Sequence, residues 1–116
     1  MSYEITSLMQ ERMMQNRQSI LQSARDLIAI GGFKEAQVQA IAEKSGVSSG
    51  LAYRYFENKN QILIEVLSNA ITHEIDILNT IAKSELESVE KLHKAVKTFV
   101  KRALNSPQLS YSLMFE

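Results

Sequence analysis

Residues 45–56 read Ser45-Gly46-Val47-Ser48-Ser49-Gly50-Leu51-Ala52-Tyr53-Arg54-Tyr55-Phe56, a glycine and serine turn directly ahead of three aromatic rings and an arginine. Two short helices joined by a tight turn cross steeply when the turn residue tolerates positive φ and the facing helix carries a small side chain; Gly46 and Ala42 supply these. The stretch therefore predicts a helix-turn-helix. Val47 is placed to anchor the turn in the core with Ile41 and Val38 behind it, and Ser48 to cap the second helix through its hydroxyl. Ser49 and Gly50 leave the first turn of that helix slim, so that it can enter a groove, and free N–H groups at such an end attract phosphate. A plainer reading of the same residues is a tight αα-corner with Tyr53 and Phe56 in the core and Arg54 solvated.

Outward from this stretch the apolar period is helical nearly throughout. Ile20, Leu21, Ala24, Leu27 and Ile28 form one stripe of a helix that Gly31-Gly32 ends. Val38 to Ala42 predicts a short helix broken at Gly46. Asn58 reads as an N-cap with Gln61 as its capping-box partner, and Leu63, Val66, Leu67, Ala70, Ile71, Leu78 and Ile81 mark a long helix after it. A further helix carries Leu92, Val96, Phe99, Val100, Ala103 and Leu104, with Pro107 stopping it. No strand-like alternation of useful length, internal repeat or low-complexity linker occurs, and the predicted fold class is all-α.

Composition limits what such a fold can do. A chain of 116 residues with 45% hydrophobic side chains suits one compact domain. With no cysteine there is no disulfide framework, thiolate nucleophile or cysteine-ligated zinc, and a reducing cytoplasm is the natural compartment. The N-terminus lacks the apolar core of a signal peptide, and no run of about 18 apolar residues exists to span a membrane. Charge is uninformative in bulk, since 13 basic residues balance 13 acidic ones, with seven against six in residues 1–60 and six against seven in residues 61–116. Any electropositive surface must be local.

The run from Arg17 to Leu63 resembles the DNA-binding domain of the TetR family of bacterial transcriptional regulators. The features that carry the resemblance are Ile20-Leu21 with Ala24, Gly32-Phe33, Ile41-Ala42, Gly46-Val47-Ser48 with Gly50, Tyr53, Tyr55-Phe56, and Lys59 with Leu63. It implies a three-helix DNA-binding domain over residues 1–60, followed over residues 61–116 by a linking helix and the first helices of a regulatory and dimerisation domain. It places Ser48, Ser49, Gly50, Tyr53 and Tyr55 on the side of the recognition helix that faces the major groove, Lys59 on a phosphate, and Gln39 on a base or the backbone. Tyrosine hydroxyls and a lysine ammonium are ordinary phosphate partners, whereas base choice needs groups that reach base edges. Arg54 is open between phosphate and a pairing with Glu57 or Glu43. Two departures stand out: Ala36 and Gln37 occupy positions where the family caps the first helix of the motif with threonine or serine, and Ser49 stands where many members carry lysine. The second implies modest affinity and a shallow salt dependence.

Members of this family usually continue through several more helices that build an effector pocket and a four-helix dimer seam, so the sequence reads as a fragment, a truncated product or a shortened relative. The implied partners are a palindromic double-stranded operator and a second copy in a weakened homodimer, with a small-molecule effector only in a longer form, and no membrane. The apolar faces of the two C-terminal helices are expected either to pack on each other or to form a substitute helical dimer. Other candidates are weaker. His73 with Asp76, and His93, lack the matched partners of a helical metal site; no metal or cofactor is expected. Met9, Met13 and Met14 read as core or frayed-helix packing. Lys91, Lys94, Lys97 and Lys101 recur along one helix side, and Glu87 and Glu90, four residues ahead of Lys91 and Lys94, mark it as a solvated face. The functional expectation is a sequence-specific DNA-binding regulator, a repressor acting by operator occupancy. The alternative is an all-helical protein-interaction module. An enzyme is disfavoured, because no nucleophile–base pair, metal cluster or phosphate-cradling glycine loop is present.

Overall fold

The computed structural model describes the backbone of residues 2–116 and the side chains from residue 6 onward. Its elements are α1 (Ser2–Gly31), a 3-10 turn (Phe33–Glu35), α2 (Val38–Ser45), α3 (Ser49–Tyr55), α4 (Lys59–Ala82), α5 (Ser88–Asn105) and α6 (Pro107–Phe115). Among the described residues every regular element is helical.

One core holds α1 to α4 together. Ile20, Ala24 and Ile28, one stripe of α1, meet Val38, Ile41 and Ala42 of α2, Ala52 of α3, Phe56, and Ile62 and Val66 of α4. Small residues sit where helices cross closest: Ala24 and Ala52 are fully buried, and Ala42 almost so. Ala36 is buried as well, so the position that lacks a capping hydroxyl contributes packing instead. Gln37, the residue before α2, accordingly makes no side-chain cap, its amide donating back to the Lys34 carbonyl.

The stripe expected on the long helix is only partly buried. Val66 and Ile81 are buried, as is Ile62 one turn before Val66, but Ile71 and Leu78 stay exposed. α1 reaches much further toward the N-terminus than its apolar stripe, and the side chains of Met9, Met13 and Met14 on these extra turns are exposed rather than packed. Pro107 plays two parts. α5 ends at Asn105 just ahead of it, and Pro107 itself opens α6, where its fixed φ suits a first helical position.

α6 folds back onto α1. Leu109 joins the core of the N-terminal helices, Leu113 packs beside it, and Ser112 is fully buried with its hydroxyl accepting from the Gln108 amide at 3.2 Å. At the far end the Glu116 carboxylate accepts from the Phe33 N–H at 2.9 Å. That hydrogen bond first, then the neighbouring Ser112 hydroxyl, lower the pKa of the Glu116 carboxyl from its ordinary value, with desolvation opposing and the charge of Lys34 adding least. The corner is formed by Gly32 at φ +87°, a left-handed conformation that favours glycine, with the Glu116 carboxylate close by. The boundary drawn near residue 60 thus separates segments in sequence, while α6 and α1 share a core.

Candidate nucleic-acid interface

The turn between α2 and α3 is built as its residues require. Gly46 ends α2 in the left-handed region at φ 76°, ψ 20°. Its N–H donates to the Glu43 carbonyl at 3.2 Å, and the next N–H, of Val47, reaches back to Ala42 at 3.0 Å, so the last carbonyls of α2 are satisfied. Val47 packs half-buried against the core. Ser48 then caps α3, its hydroxyl accepting from the Leu51 N–H at 3.1 Å.

Ala52 and Phe56 turn inward from α3, and Ser48, Ser49, Gly50, Tyr53 and Arg54 turn outward. Gly50 adopts ordinary helical geometry, and a Cβ placed there would meet only the Ser48 hydroxyl at 3.9 Å. Nothing in the fold demands glycine at that position, so what its missing side chain provides is a low surface. Gln39 is exposed on α2.

The structure separates the two tyrosines. Tyr53 is 54% exposed, whereas Tyr55, two positions on and so on another side of the helix, packs half-buried against the core. The Tyr55 hydroxyl accepts from the Asn16 amide at 3.5 Å, which ties the end of α3 to α1. Arg54 points to solvent, and among the described residues it makes no ion pair with Glu43 or Glu57.

Beyond α3, Asn58 caps α4 by accepting from the Gln61 N–H at 3.0 Å. Gln61 reaches back as a capping-box residue does, but to the Glu57 N–H at 2.7 Å. Lys59, the first residue of α4, is thereby set beside the end of α3, half-buried along its stem. Arg17 is a positioning residue that periodicity had not singled out. Its guanidinium lies over the Phe56 ring, 4.9 Å from the centroid, and pairs with Glu65 of α4. One side chain of α1 thus holds the end of α3 and the start of α4 in fixed relation. A basic residue one helical turn before a buried stripe was the only signal for it in the sequence.

Residues 20–66 match the sequence profile of bacterial regulatory proteins of the tetR family. Over that segment the chain is similar to the TetR family. It is 34% identical over 73 residues to the fatty acid metabolism regulator protein of Bacillus subtilis (strain 168), covering 63% of this chain and 38% of that protein. It is 27% identical over 112 residues to the HTH-type transcriptional repressor KstR2 of Mycolicibacterium smegmatis, covering 82% of this chain and 55% of that one. Its fold matches the fatty acid degradation regulator FadR from Bacillus halodurans with a TM-score of 0.71 at 29% identity, over 80% of this chain and 49% of that structure. The chain therefore spans about half, or less, of the length of these TetR relatives.

Outside this surface, His73 and His93 are exposed on α4 and α5, on separate helices. Lys91 does not pair with Glu87; its ammonium donates to the Ala82 carbonyl at 2.7 Å and ties α5 to the end of α4.

Proposed function

We propose that this chain is a sequence-specific DNA-binding transcriptional regulator that represses by occupying an operator. The observation that carries the reading is the N-terminal end of α3: Ser48, Ser49 and Gly50 stay exposed and small while Ala52 and Phe56 lock the helix into the core behind them. Such an end fits the major groove edge-on. Ser48, Ser49 and the backbone at Gly50 face the bases, Tyr53 and Lys59 reach phosphates on either side, and Gln39 supports the contact from α2. Arg54, exposed and unpaired with Glu43 or Glu57, joins the phosphate contacts. Tyr55 acts differently: its ring and its Asn16 hydrogen bond place α3, with the hydroxyl at the edge of the surface. With serine in place of lysine at position 49, few phosphates are neutralised, and the slope of log affinity against log salt is shallow.

The operator is read as palindromic, one half-site for each of two copies. A groove of about 340 Å³ between α1, α4, α5 and α6 keeps Ile71, Phe99 and Met114 exposed at its walls.

Fluorescence anisotropy on a duplex recovered by in vitro selection tests the reading. The selected duplex should bind at least tenfold tighter than a scrambled one, and Tyr53→Ala and Lys59→Ala should each weaken binding several-fold with unchanged helicity by circular dichroism. Equal affinity for selected and scrambled DNA, or full affinity in the double variant, would remove the proposed surface.

A further inference from the structure

The part of α1 that precedes its buried stripe is tied to the end of α3. Asn16 donates from its amide to the Tyr55 hydroxyl at 3.5 Å, and Arg17 lies over Phe56 and pairs with Glu65 of α4. These contacts fix the segment in direction as well as in place. α1 and α4 run in the same sense, since Arg17 meets Glu65 and, further along both helices, Arg25 shares a groove with Leu67, Ala70 and Glu74. Arg12 comes five residues before Arg17, and Lys59 six before Glu65, so at 1.5 Å per residue both stand about 7–9 Å nearer the same end of the molecule. Arg12 is therefore level with Lys59.

Its rotation about α1 matters as much. Arg12 precedes Asn16 by four residues and lies on the side of α1 turned toward α3, one turn further out. It is exposed, and the ion pairs among the described residues, Arg17–Glu65 and Arg102–Glu74, leave it unpaired. Glu11, its acidic neighbour in sequence, is turned about 100° away around the helix. Of the two arginines on this segment, Arg17 is engaged inside the fold and Arg12 presents its guanidinium to solvent on the side where α3 and the start of α4 are exposed.

We propose that Arg12 binds a phosphate of the operator duplex, outside the base pairs that α3 reads, and so brings α1 into the DNA interface. The proposal rests on the regulator reading and extends its surface to a further helix. A guanidinium meets phosphate oxygens through a two-pronged fork, and a helix pinned at Asn16 and Arg17 holds that fork in one place. The contact strengthens binding to every sequence alike, because phosphates carry no base information. It adds one neutralised phosphate and steepens the salt dependence by about one unit of slope.

Anisotropy titrations on the selected and scrambled duplexes over a range of salt concentrations test this. Arg12→Ala should weaken binding to both several-fold and reduce the slope of log affinity against log salt by about one, with helicity unchanged. Arg12→Lys should keep most of the slope. Lys94→Ala removes a charge near the far end of α4, where Lys91 meets the Ala82 carbonyl, and should alter neither slope nor affinity. Because the chain has no cysteine, a DNA-cleaving iron chelate attached at Arg12→Cys should cut the selected duplex at a discrete position, and one at Lys94→Cys should not. An unchanged slope in Arg12→Ala, an equal drop in Lys94→Ala, or no cutting from position 12 would each overturn the proposal. If the native chain still prefers the selected duplex in that case, the Arg12 contact alone is refuted; a native chain with no preference removes the regulator reading and the contact with it.

Discussion

Phe56 and Phe99 are the same side chain in two settings. Phe56 is 2% exposed, enclosed by α1 to α4 and covered by the Arg17 guanidinium; Phe99 is 46% exposed at the wall of the open groove between α1, α4, α5 and α6. Around Phe56 the turns are capped and the helices cross on alanine. Around Phe99 the polar edge of α5 is fastened, by Lys91 on the Ala82 carbonyl and Arg102 paired with Glu74, and the apolar face is left open. The core of the N-terminal helices takes in Leu109 of α6, while α5 contributes no buried residue.

That contrast can be broken most directly at the two phenylalanines. Phe56→Ala should cost about 3–5 kcal/mol through lost burial and the cavity left behind. Phe99→Ala, in a dilute sample, should stay within about 0.5 kcal/mol. Urea melts of both variants at low protein concentration measure the difference, and equal losses would mean that α5 is packed as tightly as the motif.

Two glycines sharpen the same point within the motif. Gly46→Val should destabilise by about 1–3 kcal/mol, because a β-branched residue is strained at positive φ although open space surrounds it. Gly50→Ala should leave stability unchanged or raise it by up to about 1 kcal/mol, since alanine suits a helix better than glycine. The same substitution should weaken operator binding, because the added methyl thickens the end that enters the groove. Thermal melts beside anisotropy titrations separate the two effects. A Gly50→Ala variant that melts lower would assign that glycine to folding.

A smaller loss is expected at the cap. Ser48→Ala removes the hydroxyl that satisfies the Leu51 N–H and should cost about 1 kcal/mol. Chemical denaturation tests this, and no change would show that water serves the freed N–H equally well.

The smallest effect concerns the contact of α6 with the Gly32 corner. The Glu116 carboxyl titrates below its ordinary value in the folded chain, so its contribution is present above the unfolded pKa and is lost as pH falls through the lowered folded pKa. Glu116→Gln keeps an acceptor for Phe33 and removes the charge. Thermal midpoints followed from about pH 7 to about pH 3, across the carboxylate range, should converge for the two proteins at the acid end. Parallel curves would show that the charge contributes nothing to the contact.

Much of the N-terminal half was legible because its signals are local. The left-handed turn at Gly46, the caps at Ser48 and Asn58 and the stripe of Ile20, Ala24 and Ile28 each follow from neighbouring residues. The extra turns of α1 were not legible, since residues 6–16 carry no stripe that a neighbour buries. Nor was Ile62, fully buried one position before the leucine expected in its place, because adjacent apolar residues leave the rotation of a helix undecided. The pairing of Arg17 with Glu65 and Phe56 depends on residues far apart in sequence, and so does the separate placement of Tyr53 and Tyr55.

By itself the sequence determined the all-helical class, the helix-turn-helix with its glycine turn, and the residues available at its slim end, since these depend on φ preferences, capping groups and a 3.6-residue period acting within a few positions. Tertiary structure alone decided that α6 shares a core with α1, that Tyr55 supports the recognition helix while Tyr53 stands clear of it, and that α5 lies on α4 by its polar edge. Each depends on which surfaces meet across the chain, and an apolar stripe specifies that it needs a partner without specifying which one.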